Sequence, residues 1–209
     1  MERNSSVAMG ALETTARLSG AAVKRPQITD ALARTFFEEW ARVGYSALSL
    51  DAVARKAGVG KAALYRRWRS KADMASDLVK QLSAATVMID PGDQGSLEAD
   101  LFAALLLARR ILRHPLARRI LPDLYIAIPR EPALAAAMRP GEMMREKKIK
   151  ALIDRAVARG ELPADVDRRA ATDFLIGPLY WRIAVLGERC DRRRLKILAR
   201  MTAAAVRAG

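Results

Sequence analysis

At 209 residues, 51% hydrophobic and 29% charged, the chain has material for one or two small cored domains and the balance of a soluble globular protein. A formal charge of +14 directs it toward polyanions, either nucleic acid or an anionic membrane surface. The single cysteine, Cys190, excludes an intrachain disulfide or a cysteine metal cluster, and the single histidine, His114, excludes a multi-histidine metal site or a histidine-rich catalytic centre.

In chain order, residues 1–25 are rich in Ser, Ala, Gly and Thr without helical period and read as a disordered arm. From Pro26, the residues Ile28, Leu32, Phe36, Phe37 and Trp40 mark an amphipathic helix that stops near Gly44. Ser49 is a good N-cap for a short helix through Ala57, which Gly58 ends. A third helix is expected over Lys61–Trp68, and Ser70 caps a fourth to about Ala85. Pro91, Gly92 and Gly95 form a break. Ser96 opens a helix to about Arg113, ended by His114-Pro115. A short piece follows at Leu116–Ile120, then a connector punctuated by Pro122, Pro129 and Pro132. Residues 133–139 are helical in composition, Pro140-Gly141 should kink or break them, and a long helix follows over Glu142–Ala158. The last two helices are Val166–Leu186 and Asp191–Ala208. No strand alternation, repeat or long heptad run occurs, so the fold class is all-α.

The stretch "AGVGKAALYRRWRSK", residues 57–71, carries five basic side chains and no acid. Over residues 49–71 the balance is seven bases to one acid, Asp51. Two short helices joined by a glycine turn cross closely only where facing residues are small, as Ala54 and Ala57 are. Val53, Val59 and Leu64 can then form a miniature core, the arrangement of a helix-turn-helix. A helical wheel at about 100° per residue puts Leu64 and Trp68 on one face and Ala62, Tyr65, Arg66 and Arg69 toward the other. Small outward residues let a helix sit deep in the major groove, and arginine can fork onto guanine. Lys71 follows Ser70 at a helix start, where free N–H groups also favour phosphate.

The segment "GYSALSLDAVARKAGVGKAALYRRWRSKADM", residues 44–74, resembles the DNA-binding signature of the tetracycline-repressor (TetR/AcrR) family of bacterial transcriptional regulators. Gly44-Tyr45, Ser49, Val53-Ala54, Ala57-Gly58-Val59, Leu64-Tyr65, Trp68 and Ser70-Lys71 fall on the family pattern in register. The resemblance implies an N-terminal three-helix DNA-binding domain (26–72) and an all-α effector-binding and dimerisation domain (73–209). It also implies a homodimer that reads a near-palindromic operator and releases it when a small molecule binds. Carried over by position, Ser49, Tyr65 and Lys71 match phosphate contacts, and Lys61, Ala62, Ala63 and Arg66 match positions that face bases. Gly60 stands where the family has Ser or Thr, and it supplies no hydroxyl.

In the larger half, Phe102, Leu105, Leu106 and Arg109, then Met143, Met144, Lys147 and Lys148, then Phe174, Pro178, Trp181, Arg182 and Val185, with Tyr125, are the expected walls of a mostly apolar cavity with cationic handles. Residues 175–187 are apolar nearly all round, which an outer helix should not be. Burial on two sides explains this, with Leu175, Leu179, Tyr180 and Ile183, and Leu195, Leu198 and Thr202 of the last helix, as dimer candidates. Pro178 should bend this helix or sit where its missing hydrogen bond is harmless. His114 reads as a helix-end residue and Cys190 as an unreactive thiol. No nucleophile elbow, phosphate loop or metal cluster is present, so neither an enzyme nor a bound cofactor or metal is expected. The longest apolar run, Leu101–Ala108, falls far short of the ~20 residues a membrane span needs, and the N-terminus has no signal-peptide core. A cytoplasmic regulator bound to an operator and a small-molecule effector is expected. The alternative is an effector-independent or non-specific DNA-binding protein.

Overall fold

The computed structural model describes residues 24–87 and 91–208. The expected arm over 1–25 lies outside them apart from Lys24 and Arg25, which open the first helix. Among the described residues every regular element is helical and none is a strand: α1 (Lys24–Ala47), α2 (Leu50–Lys56), α3 (Lys61–Tyr65), α4 (Lys71–Val87), α5 (Leu97–Leu112), α6 (Pro115–Ala127), a 3-10 turn (Ile128–Arg130), α7 (Pro132–Ala158), α8 (Arg168–Tyr180), a π turn (Trp181–Val185) and α9 (Arg192–Ala208).

The chain divides into two compact units. The first runs to Thr86 and takes in Asp123–Arg139; the second is Val87–Pro122 with the chain from Pro140 onward. Two of the three changeovers fall at prolines, Pro122 in α6 and Pro140 in α7.

In the first unit, Phe36, Phe37, Trp40 and Tyr45 of α1 form an aromatic cluster, with Phe36 and Trp40 edge-to-face at 5.7 Å. Around it Leu32, Leu50, Val53, Leu64, Met74 and Leu78 are buried. Gly44 takes φ +77°, a left-handed conformation costly for other residues, so α1 kinks there before its last turn. The Asp123 carboxylate holds that kink, accepting from the Trp40 indole Nε1 and the Tyr45 amide, both at 2.6 Å. Nothing in local sequence pattern links residues so far apart.

In the second unit, one core joins Leu97, Leu101 and Leu105 of α5, Leu152 and Ile153 of α7, Leu175 and Leu179 of α8, and Leu195, Ala199 and Ala203 of α9. The α5 start is tied down ionically. Arg159 binds Asp93 (2.8 Å), the wholly buried Asp100 (2.9 Å) and Glu161 (2.7 Å), while Glu161 caps the Leu97 amide. Ser96, Asp167 and Asp191 accept N-terminal amides of α5, α8 and α9.

Two element expectations are corrected. The proline-punctuated connector that was to hold Tyr125 is helical through Ala127, with Pro122 inside α6. Likewise Pro140 does not break α7, which runs unbroken from Pro132 to Ala158. A proline removes one helical hydrogen bond, and here buried apolar residues on both flanks (Leu134 and Met138 before, Ile149 and Ile153 after) hold the helix in register. After Pro178 the last turns of α8 widen into π geometry at Trp181–Val185.

Candidate nucleic-acid interface

The α2–α3 pair is built as a tight corner. Gly58 takes φ +66°, and the Val59 amide returns to the Ala54 carbonyl at 3.0 Å. Ala54 is 1% exposed, which lets the two helices meet. Leu64 and Trp68 turn inward; Leu64 is fully buried, and the Trp68 indole donates to Asp77 of α4 at 3.0 Å. Lys61, Ala62, Tyr65, Arg66, Arg67 and Arg69 are exposed, and Ala63 is half-buried. The helix is shorter than the spacing suggests, ending at Tyr65, so Arg69 projects from the bend after α3 rather than from a helical face.

Three acids tie the helices of this unit together, and sequence spacing hid their role. Glu39 of α1, almost wholly buried, accepts from Arg42 (3.0 and 2.9 Å) and from Lys56 of α2. Arg42 and then Lys56 hold its carboxyl at about 2, below the usual 4.5. Asp51 accepts from Lys61 Nζ at 2.6 Å and Tyr65 Oη at 3.2 Å, so its carboxyl is lowered, chiefly by Lys61, and the Tyr65 phenol is raised. Asp77 is the third, through Trp68.

The predicted phosphate contacts sit differently from expectation. Ser49 has the extended backbone of an N-cap, but its hydroxyl makes no cap bond and is exposed. Lys71 is half-buried: its ammonium donates to the Tyr45 and Ser46 carbonyls at 2.7 and 3.0 Å and lies 4.6 Å above the Tyr45 ring. Burial, with Glu131 adding to it, pushes the Tyr45 phenol up to about 12. Lys71 therefore braces the chain after the Gly44 kink, with one ammonium hydrogen left for another acceptor.

A corner of two short helices with a basic, small-residue outer edge has counterparts. Residues 32–78 match the model described as "Bacterial regulatory proteins, tetR family", and residues 91–202 match "Tetracyclin repressor-like, C-terminal domain". The chain belongs to the tetR family. It is a DNA-binding transcriptional regulator. It is 32% identical over 151 residues to the DNA-binding transcriptional repressor TetR of Mycobacteroides abscessus, covering 70% of this chain and 76% of that one. It is 28% identical over 148 residues to the HTH-type transcriptional regulator YdeS of Bacillus subtilis, covering 69% and 72%. Among solved structures it resembles the TetR family transcription regulator SCO0332 (26% identity, TM-score 0.60, covering 86% and 98%) and, in fold, Salmonella enterica GusR (17%, 0.69, 91% and 99%).

In the regulator's second unit the expected cavity walls are not brought together. Leu105 is fully buried in the core, and Phe102 and Leu106 pack half-buried against it. Phe102 is capped outward by the cations of Arg192 and Lys196. Arg109 donates to the Cys190 carbonyl at 3.1 Å. Met143, Met144, Phe174 and Trp181 are 45–64% exposed, and Lys147 and Pro178 are exposed too, so these residues face outward. Arg182 pairs with Glu188. Tyr125 belongs to the first unit and is exposed. One concavity in this unit is polar, about 430 Å³, lined by Glu142, Arg145, Glu146, Arg169, Thr172 and Asp173, none of them predicted.

The dimer candidates lie mostly inside the single chain. Leu175, Leu179, Ile183, Leu195 and Thr202 are buried within the chain's own core, and Tyr180 and Leu198 are half-buried against it. The outward apolar stripe on α8 and its π turn is Phe174, Pro178, Trp181 and Val185, with Leu186 beyond it and Met201 on α9. Both stripes of a helix apolar all round were visible in sequence; in the chain Leu175, Leu179 and Ile183 lie inward and Phe174, Pro178 and Trp181 outward. Cys190 is buried and its thiol pushed up by burial, which disfavours the reactive thiolate. No helix of the described residues is long and apolar enough to cross a membrane.

Proposed function

We propose that the chain is a cytoplasmic repressor that binds a near-palindromic operator as a homodimer and is released by a small-molecule effector. The reading rests chiefly on the exposed α3 edge, where Ala62 and Arg66 point outward while Leu64 and Trp68 lock the helix to its domain. Lys61, Ala62, Ala63 and Arg66 are assigned to bases, and Ser49, Tyr65, Arg69 and Lys71 to phosphates. The exposed stripe of Phe174, Pro178, Trp181 and Val185 is assigned to the partner subunit, because so apolar a line on a charged chain is a contact surface. The name of the Mycobacteroides abscessus relative supports repression. Metal and cofactor have no part in this reading.

Selection of bound sequences from a random duplex pool tests it. A single enriched site with two-fold symmetry, its half-sites about one helical turn apart, supports the operator reading. Equal retention of all sequences would establish the non-specific alternative instead.

A further inference from the structure

The acid inside the basic motif carries an inference about sequence discrimination. Asp51 is the one carboxylate among residues 49–71, against seven bases. It sits in the first turn of α2 and reaches across the corner to both ends of α3. Its Oδ2 accepts from Lys61 Nζ (2.6 Å), the first residue of the helix, and its Oδ1 from Tyr65 Oη (3.2 Å), the last. The helix it grips has five residues, and Gly60 at its N-cap offers no side-chain bond. So short a helix is marginal by itself. All three side chains remain substantially exposed, with Asp51 43% and Lys61 64%, so the clamp lies on the face assigned to DNA.

We propose that Asp51 is a specificity-determining residue: it holds Lys61 and Tyr65 in one arrangement and keeps the Lys61 charge from pairing with any phosphate it meets. The proposal rests on the assignment of the α3 edge to DNA. Non-specific affinity comes almost entirely from cations that displace counterions from phosphates. A lysine already neutralised at 2.6 Å contributes little to that term. A carboxylate in the same place also repels the backbone of a wrongly seated duplex, while a correctly seated one meets a helix already in position.

The test is fluorescence anisotropy of the full chain with a labelled random-sequence duplex and with the selected operator, across a range of potassium chloride concentrations. For Asp51→Asn, the slope of log affinity against log salt on random duplex should steepen by about 0.9, one more phosphate neutralised. At 0.1 M salt that is about an eightfold gain in random-duplex affinity over wild type, scaled from 1 M. The operator should gain less, so the ratio of operator to random affinity falls. Adding Lys61→Met to Asp51→Asn should return the slope to the wild-type value. Asp51→Ser, which removes the charge with a residue suited to a helix start, should behave as Asp51→Asn does, and circular dichroism checks that both fold. An unchanged slope in both folded variants overturns the proposal, as does a steepening that persists without Lys61. If the wild-type chain binds no duplex at low salt, or Arg66→Ala leaves operator affinity intact, the assignment of the face itself falls.

Discussion

Leu64 lies on α3 and Arg66 caps its C-terminal end, and the structure gives them opposite roles. Leu64 is 0% exposed and packs where α2 and α3 meet, while Arg66 lies in solvent. Leu64→Ala removes three buried carbons, about 2.4 kcal/mol in transfer terms at about 0.8 each, and leaves a cavity in a corner held by Gly58 and Ala54 that has little freedom to collapse. A total of about 3 kcal/mol is expected, within the roughly 2–5 seen for such changes. Against a typical domain stability of about 5–15 kcal/mol this is a large fraction, and for a unit of under 100 residues it lowers Tm by roughly 12–24 °C. Arg66→Ala should move Tm by less than about 4 °C, since exposed substitutions stay within about 0.5 kcal/mol. It should nevertheless cost about 1–3 kcal/mol of operator affinity, the worth of a forked base contact. Thermal unfolding followed by circular dichroism, with operator affinity measured well below the Leu64→Ala transition, separates the two effects. If Arg66→Ala destabilised as much as Leu64→Ala, or if Leu64→Ala left Tm within about 4 °C of wild type, the inner and outer faces of α3 would be wrongly drawn.

Further expectations concern charge and assembly. Glu39 is held at about 2 in the fold against 4.5 otherwise, so its ion pairs stabilise above pH 4.5 and that contribution disappears as pH falls toward 2. The shift is worth up to about 3 kcal/mol, cut to about 1–2 by solvent around half-exposed Arg42 and Lys56; Glu39→Gln should flatten the acid limb of a urea-midpoint profile over that window. Arg159→Met strands the Asp100 carboxylate in the core without its cation and should cost about 3–5 kcal/mol, read as a drop in urea midpoint that Asp100→Asn in the same chain partly restores. Trp181→Asp should shift light-scattering mass toward the monomer and leave helix content unchanged, because Trp181 is 57% exposed in the single chain; an unaltered mass would remove this stripe from the partner surface.

The helical class, most helix starts and the two faces of α3 were legible in the residue order alone. Over residues 61–69 Leu64 and Trp68 share one face and Ala62, Tyr65, Arg66 and Arg69 lie toward the other, which placed Leu64 and Trp68 inside. Gly58 and Ala54 announced the close corner for the same reason, since only small or left-handed residues permit it. Local order did not reveal Asp123 at the Gly44 kink, Asp51 across α3, or Glu39 beneath Lys56, because each joins different helices and no spacing rule brings them together.

In α8 the residue order left two solutions. Residues 175–187 are apolar on nearly every side, so the 3.6-residue period shows two stripes and cannot rank them. Only the packing of α5, α7 and α9 decided that Leu175, Leu179 and Ile183 go inward and Phe174, Pro178 and Trp181 go outward. Burial is a property of what lies opposite a side chain, and a helix apolar all round carries no record of its neighbours.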